Sequence, residues 1–127
     1  MSETPFTSKG FQLLHPFEPA EVERATTMRG CRISAQCRVN MLELKEGDVI
    51  LWNYPVYSAG IINFFIEEDK QLFVHLTLCQ NMLYNAEALL SFRALNEKIV
   101  LKWAHLLAPT VPSWLQQRDL NQLICLP

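Results

Sequence analysis

Glycine is scarce in this sequence, and its four positions, Gly10, Gly30, Gly47 and Gly60, stand far apart. A phosphate-cradling loop needs glycines close together. The chain has no G-x-x-x-x-G-K-[ST], G-x-G-x-x-G or G-x-S-x-G, so nucleotide binding and acyl transfer by those routes are excluded. Long apolar runs are missing too: VILWNYP is interrupted at Asn53 and Pro55, far short of the ~20 residues that a membrane-spanning helix needs. The start, MSETPFTSKGFQLLHPFEP, lacks a basic stretch followed by an apolar one, so no secretory leader is expected and the expected location is intracellular, cytoplasmic or nuclear.

Metal-binding patterns are equally absent. There is no H-E-x-x-H, and the acidic cluster Glu67, Glu68 and Asp69 lacks the ligand spacing of a calcium loop. The four cysteines, Cys31, Cys37, Cys79 and Cys125, match no small disulfide framework and lack the C-x-x-C type of spacing that holds two thiolates around one zinc ion. A site from Cys31, Cys37, His75 and Cys79 is chemically conceivable, but free thiols, no metal and no cofactor are the expectation. A basic balance is lacking as well. The net charge is -2 and the pI about 5.9, which opposes a dedicated polyanion-binding domain.

What is present is apolar content. Half of the residues are hydrophobic and 19% are charged, enough to build a core, and 127 residues fit one domain. Residues 1–20, with Pro5, Pro16 and Pro19, read as an extended N-terminal arm, and residues 21–127 as a single domain. Within the arm, FQLLHPF is too apolar to be left in water and is expected to pack along the domain surface.

CRISAQCRV alternates as a half-buried strand, with Ile33, Ala35, Cys37 and Val39 on one face and Arg32, Ser34, Gln36 and Arg38 on the other. Glu46, Gly47 and Asp48 punctuate two apolar runs, and Val49 to Trp52, without polar alternation, reads as a strand covered on both faces. VYSAGIINFFI continues in extended form, with a bend or bulge expected at Gly60. EEDKQ then turns the chain and LFVHLTLC returns, giving a hairpin from Ile61 to Cys79. Val49, Leu51, Ile62, Phe64, Val74 and Leu76 are the expected core. Residues 81–107 fit either helix or strand; KIVLKWAHLLAP, with Ile99, Leu101, Trp103, His105 and Leu107 alternating, is taken as strand from its β-branched start. A short strand is expected around Trp114, and a last turn or strand through Leu120 to Leu126.

The fold class expected is therefore mostly β: a small barrel with an irregular N-terminal arm and room for one short helix. The order of a GDVILW strand, a bent strand carrying SAGII and a tight hairpin into LFVHLTL resembles the SH3-like barrels of Tudor-like and BAH-like modules. The resemblance covers residues 41–80 and is one of fold.

Three functional classes follow. Trp52, Tyr54 and Tyr57 surround Pro55 and are the candidate surface of a noncatalytic protein-interaction module, part of a larger intracellular protein or complex, that binds a peptide or protein partner as SH3-like barrels do. Arg29, Arg32 and Arg38 are the candidate residues of the alternative, a nucleic-acid-binding regulatory domain. A small thiol enzyme is the second alternative. Cys79 and His75 are about 13 Å apart along one strand, however, too far for a direct hydrogen bond, so no catalytic residue is assigned.

Overall fold

A computed structural model describes residues 10–17, 31–53, 57–81, 90–106, 108–117 and 122–126. The described chain is mostly β and its larger sheet curls into a half-barrel. Ten strands run in order: β1 (Phe11–Leu14), β2 (Arg32–Ser34), β3 (Gln36–Val39), β4 (Leu42–Lys45), β5 (Val49–Asn53), β6 (Tyr57–Glu68), β7 (Gln71–Asn81), β8 (Leu90–Lys102), β9 (Trp114–Gln117) and β10 (Gln122–Leu126). The one helical element among the described residues is a 3-10 turn, Trp103–His105, and none of their helices is long and apolar enough to cross a membrane. Residues 18–30 and 82–89, where the sequence leaves room for a short helix, lie outside the described residues.

The expected hairpin is present as β6 and β7, paired from Glu68↔Gln71 to Ala59↔Cys79. Its turn is tighter than the five residues EEDKQ implied. Asp69 and Lys70 alone connect the strands, both at positive φ (54° and 61°), the primed turn whose twist matches that of the flanking strands. Asn40 and Met41 (φ 51° and 67°) make the same kind of turn between β3 and β4.

Two sheets share the main core. The small one, in order β1-β3-β4, lays Phe11, Leu13, Cys37, Val39 and Leu44 against Ile50, Trp52, Ile62, Phe65, Val74 and Leu76 of the large one. Phe11–Leu14, expected as an irregular arm, is an edge strand of that small sheet, because Phe11 and Leu13 alternate into the core while the backbone pairs with β3. The large sheet runs β2-β6-β7-β8-β10-β9, with β5 also on β6. At twelve residues, β6 is long enough to pair with β5 through Tyr57–Ile61 and with β2 through Phe65–Glu67 on one edge.

The expectation that Val49 to Trp52 is covered on both faces holds. Ile50 and Trp52 enter the main core, while Val49 and Leu51 enter a second cluster with Ala59, Cys79, Phe92, Leu123 and Cys125. The ribbon thus separates two cores instead of lining a single barrel interior. Residues 90–102 are strand, so the strand reading of KIVLKWAHLLAP holds through Lys102, but Trp103–His105 is a 3-10 turn instead of its continuation; the two short C-terminal strands are present.

Three local expectations fail for identifiable reasons. CRISAQCRV is two strands, since the chain kinks at Ser34–Ala35. Ser34 is buried and its hydroxyl bonds the carbonyls of Leu14 and Gln36, while Ala35 is exposed. The irregularity in β6 falls between Ile62 and Phe64, and not at Gly60. That extra residue shifts the alternation, so Phe65 is fully buried in the main core while Phe64 is only partly buried against a small cluster of Cys31, Ile33 and Ile66. Gly60 is instead a close approach: a Cβ there would lie 3.1 Å from Leu76 Cδ1 and 3.2 Å from Trp52 Cη2.

Val74 is fully buried, and truncating Val74→Ala should cost about 1 to 3 kcal/mol through lost transfer energy and a residual cavity. Gly60→Val should cost a similar ~1 to 3 kcal/mol by overpacking against Leu76 and Trp52. Urea unfolding followed by circular dichroism checks both. Unchanged midpoints would show that the two side chains do not meet the core as described.

Candidate functional site

The three aromatic candidates separate. Trp52 is only 4% exposed, and its ring presses on the backbone of Gly60 within the main core. Tyr54 lies outside the described residues. Tyr57 opens β6 and its backbone pairs with Asn53; its side chain is not among those described. These residues mark one end of β5. The edge of β5 that does not face β6 is met by another stretch of chain, where Leu51 and Thr110 exchange backbone hydrogen bonds of 2.8 and 2.9 Å.

That contact leads to an apolar strip the sequence reasoning did not single out. Directly after Thr110, Val111, Trp114 and Leu115 are 39%, 43% and 42% exposed, and Trp114 and Leu115 begin β9, which ends the order of the large sheet. All four β9 residues are exposed. Val111, Pro112 and Leu115 line a groove of about 330 Å³ together with Leu42, Leu44 and Val49 and with Glu43, Gly47 and Asp48. The sequence carried a signal: APTVPSWL sets a tryptophan and two aliphatic residues beside prolines, with no charge to explain their exposure.

Of the arginine candidates, Arg29 lies outside the described residues. Arg32 and Arg38 are both exposed and each faces a carboxylate directly across the strand register. Arg32 bonds Glu67, with Nε donating to Oε1 at 3.1 Å, and Arg38 lies 3.6 Å from Glu43. Exposed pairs of this kind add little stability, but they cancel charge that a phosphate would otherwise use.

The thiols are shut in. All four cysteines are free and buried, and they are divided among three clusters: Cys37 in the main core, Cys79 and Cys125 in the second, Cys31 in the third. Burial pushes the Cys37 thiol up to about 12, and the Cys79 and Cys125 thiols up to about 11, with Cys125 adding to the effect on Cys79. A protonated, enclosed thiol is a poor nucleophile and a poor metal ligand. Among the described residues no three His, Cys, Asp or Glu side chains are grouped to hold a metal ion.

His75 is half-buried on the other face of β7 from Val74 and Leu76. It stacks on Phe64, with ring centroids 4.4 Å apart, and its Nδ1 is 3.1 Å from Asn63 Nδ2, which also reaches Thr77 Oγ1 at 3.1 Å. Desolvation, then the Lys98 charge, lowers its pKa below 6.5. A neutral imidazole accepting from Asn63 fits both observations. The cluster ties down the irregular residue of β6, and no cysteine belongs to it.

Comparison with protein-family models, with curated proteins and with solved structures finds no match to this chain.

The shifted groups set the pH response. His75 is held neutral in the fold, so its contribution is full above pH 6.5 and is lost as the pH falls below that value, until the lowered folded pKa is passed. The thiols act in the opposite sense, because an unfolded thiol ionises near 9.0 while the folded ones stay protonated, so stability falls as pH rises above 9.0. Urea midpoints measured across pH should show both declines, and His75→Gln should flatten only the acidic one. A thiol-reactive aromatic disulfide should leave the folded protein unlabelled at neutral pH and label it on unfolding. Rapid labelling of Cys79 in the folded state would contradict the enclosed thiol.

Proposed function

We propose that this chain is a noncatalytic protein-interaction module, built on an SH3-like barrel of the Tudor-like and BAH-like kind, that receives an extended peptide from a protein partner inside the cell. The peptide lies along the strip Val111–Leu115, with Tyr54 and Tyr57 as further contacts. The observation that carries this reading is the grouping of Val111, Trp114 and Leu115, three large apolar side chains left 39–43% exposed within five positions, beside a groove of mixed lining and at a strand that ends the sheet. Exposed tryptophan and leucine at such an edge provide what strand addition uses, namely main-chain hydrogen bonds for affinity and side-chain pockets for selection.

The competing classes have less behind them. Arg32 and Arg38 are each answered by a carboxylate, which weighs against a nucleic-acid-binding regulatory domain, and the raised thiol pKa values weigh against a thiol enzyme. A displayed random-peptide library separates the readings. The wild-type chain should enrich a shared apolar motif, and Leu115→Glu or the Tyr54→Ala, Tyr57→Ala pair should weaken the selected peptide about tenfold or more, while Arg32→Ala with Arg38→Ala leaves it within about twofold. No shared motif, together with oligonucleotide binding that drops steeply with salt and vanishes in the arginine variant, would establish the nucleic-acid alternative instead.

A further inference from the structure

β8 carries two lysines on the side of the large sheet that faces away from the main core. Ile99 and Leu101 pack against that core, so Lys98, Val100 and Lys102 alternate to the opposite side. The register with β7 and β6 places their neighbours on the same side. Lys98 lies opposite Thr77, Val100 opposite His75 and Phe64, and Lys102 opposite Phe73 and Ile66. Val100 is 46% exposed and Lys98 is exposed, while Phe64, Phe73, His75 and Lys102 are half-buried. An apolar side chain thus stands open between two cations that are four strand residues, about 13 Å, apart.

The charge on this face is not answered. No ion pair of Lys98 or Lys102 is found among the described residues, in contrast to Arg32, Arg38 and Lys45. Glu68 shares the face at the hairpin end, in register with Gln71 beyond the row of Lys102, and Glu97 precedes Lys98 where the β7–β8 register shifts; neither forms an ion pair with a lysine. His75 reports the local field. Its Nδ1 takes the Asn63 amide, which leaves the hydrogen on Nε2, and after desolvation the charge that acts on the ring is that of Lys98, with no carboxylate opposing it. The net charge of -2 repels long polyanions, but at physiological salt charges more than ~8 Å apart are largely screened, so a short ligand meets the lysines themselves. Phe64 and His75 already stack on each other, so their facing ring surfaces are not offered to a nucleotide base.

We propose that this face docks an extended acidic segment of a protein partner, with an apolar side chain set on Val100 and a carboxylate two positions to either side of it held by Lys98 and Lys102. An extended segment repeats its side-chain direction every second residue, so a carboxylate, an apolar residue and a second carboxylate at i, i+2 and i+4 span the same ~13 Å as the three β8 side chains. The face goes beyond the peptide strip and shares no residue with it or its groove, so either can fail without the other.

The test uses the full chain, the capped peptides Glu-Ser-Leu-Ser-Glu, Glu-Ser-Gly-Ser-Glu and Lys-Ser-Leu-Ser-Lys, and single-stranded oligothymidylate. Titrations followed by backbone amide and His75 imidazole resonances read the binding. The acidic leucine peptide should bind saturably, shift the amides of Lys98, Val100 and Lys102, and raise the midpoint of the His75 titration, because a carboxylate beside the ring favours its charged form. The glycine peptide should bind about fivefold more weakly, and neither the lysine peptide nor oligothymidylate should bind. Lys98→Gln with Lys102→Gln should weaken the leucine peptide about tenfold while melting like the parent, and Lys98→Arg with Lys102→Arg should keep its affinity. Absence of saturable binding, equal binding of the leucine and glycine peptides, binding of the lysine peptide, an unaffected glutamine variant, or shifts centred on Val111–Leu115 would each overturn the proposal. Oligothymidylate binding that the glutamine variant loses would overturn it too, and would assign the face to nucleic acid.

Discussion

Everything in this fold depends on a ribbon that is apolar on both sides. Val49 to Trp52 has no polar face to offer water, so β5 is stable only where separate groups of side chains cover it from above and below. The main core, shared with the small sheet, covers Ile50 and Trp52. The second core, formed where β7, β8 and β10 come together, covers Val49 and Leu51. Both requirements are met because β6 is long enough to pair with β5 at one end and β2 at the other, carrying the chain between the two sheets. Gly60 belongs to the same constraint, as a Cβ at that point of β6 would crowd the Trp52 and Leu76 side chains that close over it.

Much of this was legible in the residues. The period of two in LFVHLTLC, the β-branched start of KIVLKW and the unbroken apolarity of VILW each point to the strand observed, because alternation and burial act within one strand and need no knowledge of its neighbours. What could not be read is long-range. The shift at Asn63 depends on how β6 meets β7, and it moves the core role from Phe64 to Phe65. The kink at Ser34 depends on a carbonyl of Leu14 twenty residues earlier, and the conversion of Phe11–Leu14 into an edge strand depends on β3 being there to accept it. Which carboxylates answer Arg32 and Arg38 is likewise decided by register, which sets Glu67 and Glu43 opposite them.

The same distinction explains the candidate surfaces. Trp52 stood out by composition and is consumed by the core, whereas Trp114 becomes interesting only once β9 is seen at the end of the sheet with its four residues exposed. The Cys37, Cys79 and Cys125 thiols and the His75 imidazole, groups of the kind most often recruited for chemistry, are kept protonated or neutral by burial. Reactivity is suppressed where the chain is best packed, and the accessible apolar groups gather where packing ends. That division of labour suits a binding module better than an enzyme.

Amide hydrogen exchange tests the central claim most directly, because it reads the stability of each pairing separately. If the doubly covered ribbon holds the fold together, the amides of Leu51 and Ile62, which donate to Thr110 and Asp48 at 2.8 Å, should exchange only by global unfolding, together with that of Val74. The amides of β9 should exchange much sooner. Exchange of Leu51 and Ile62 at the rate of β9 would contradict the claim, and would place the stabilising centre outside the β5–β6 ribbon.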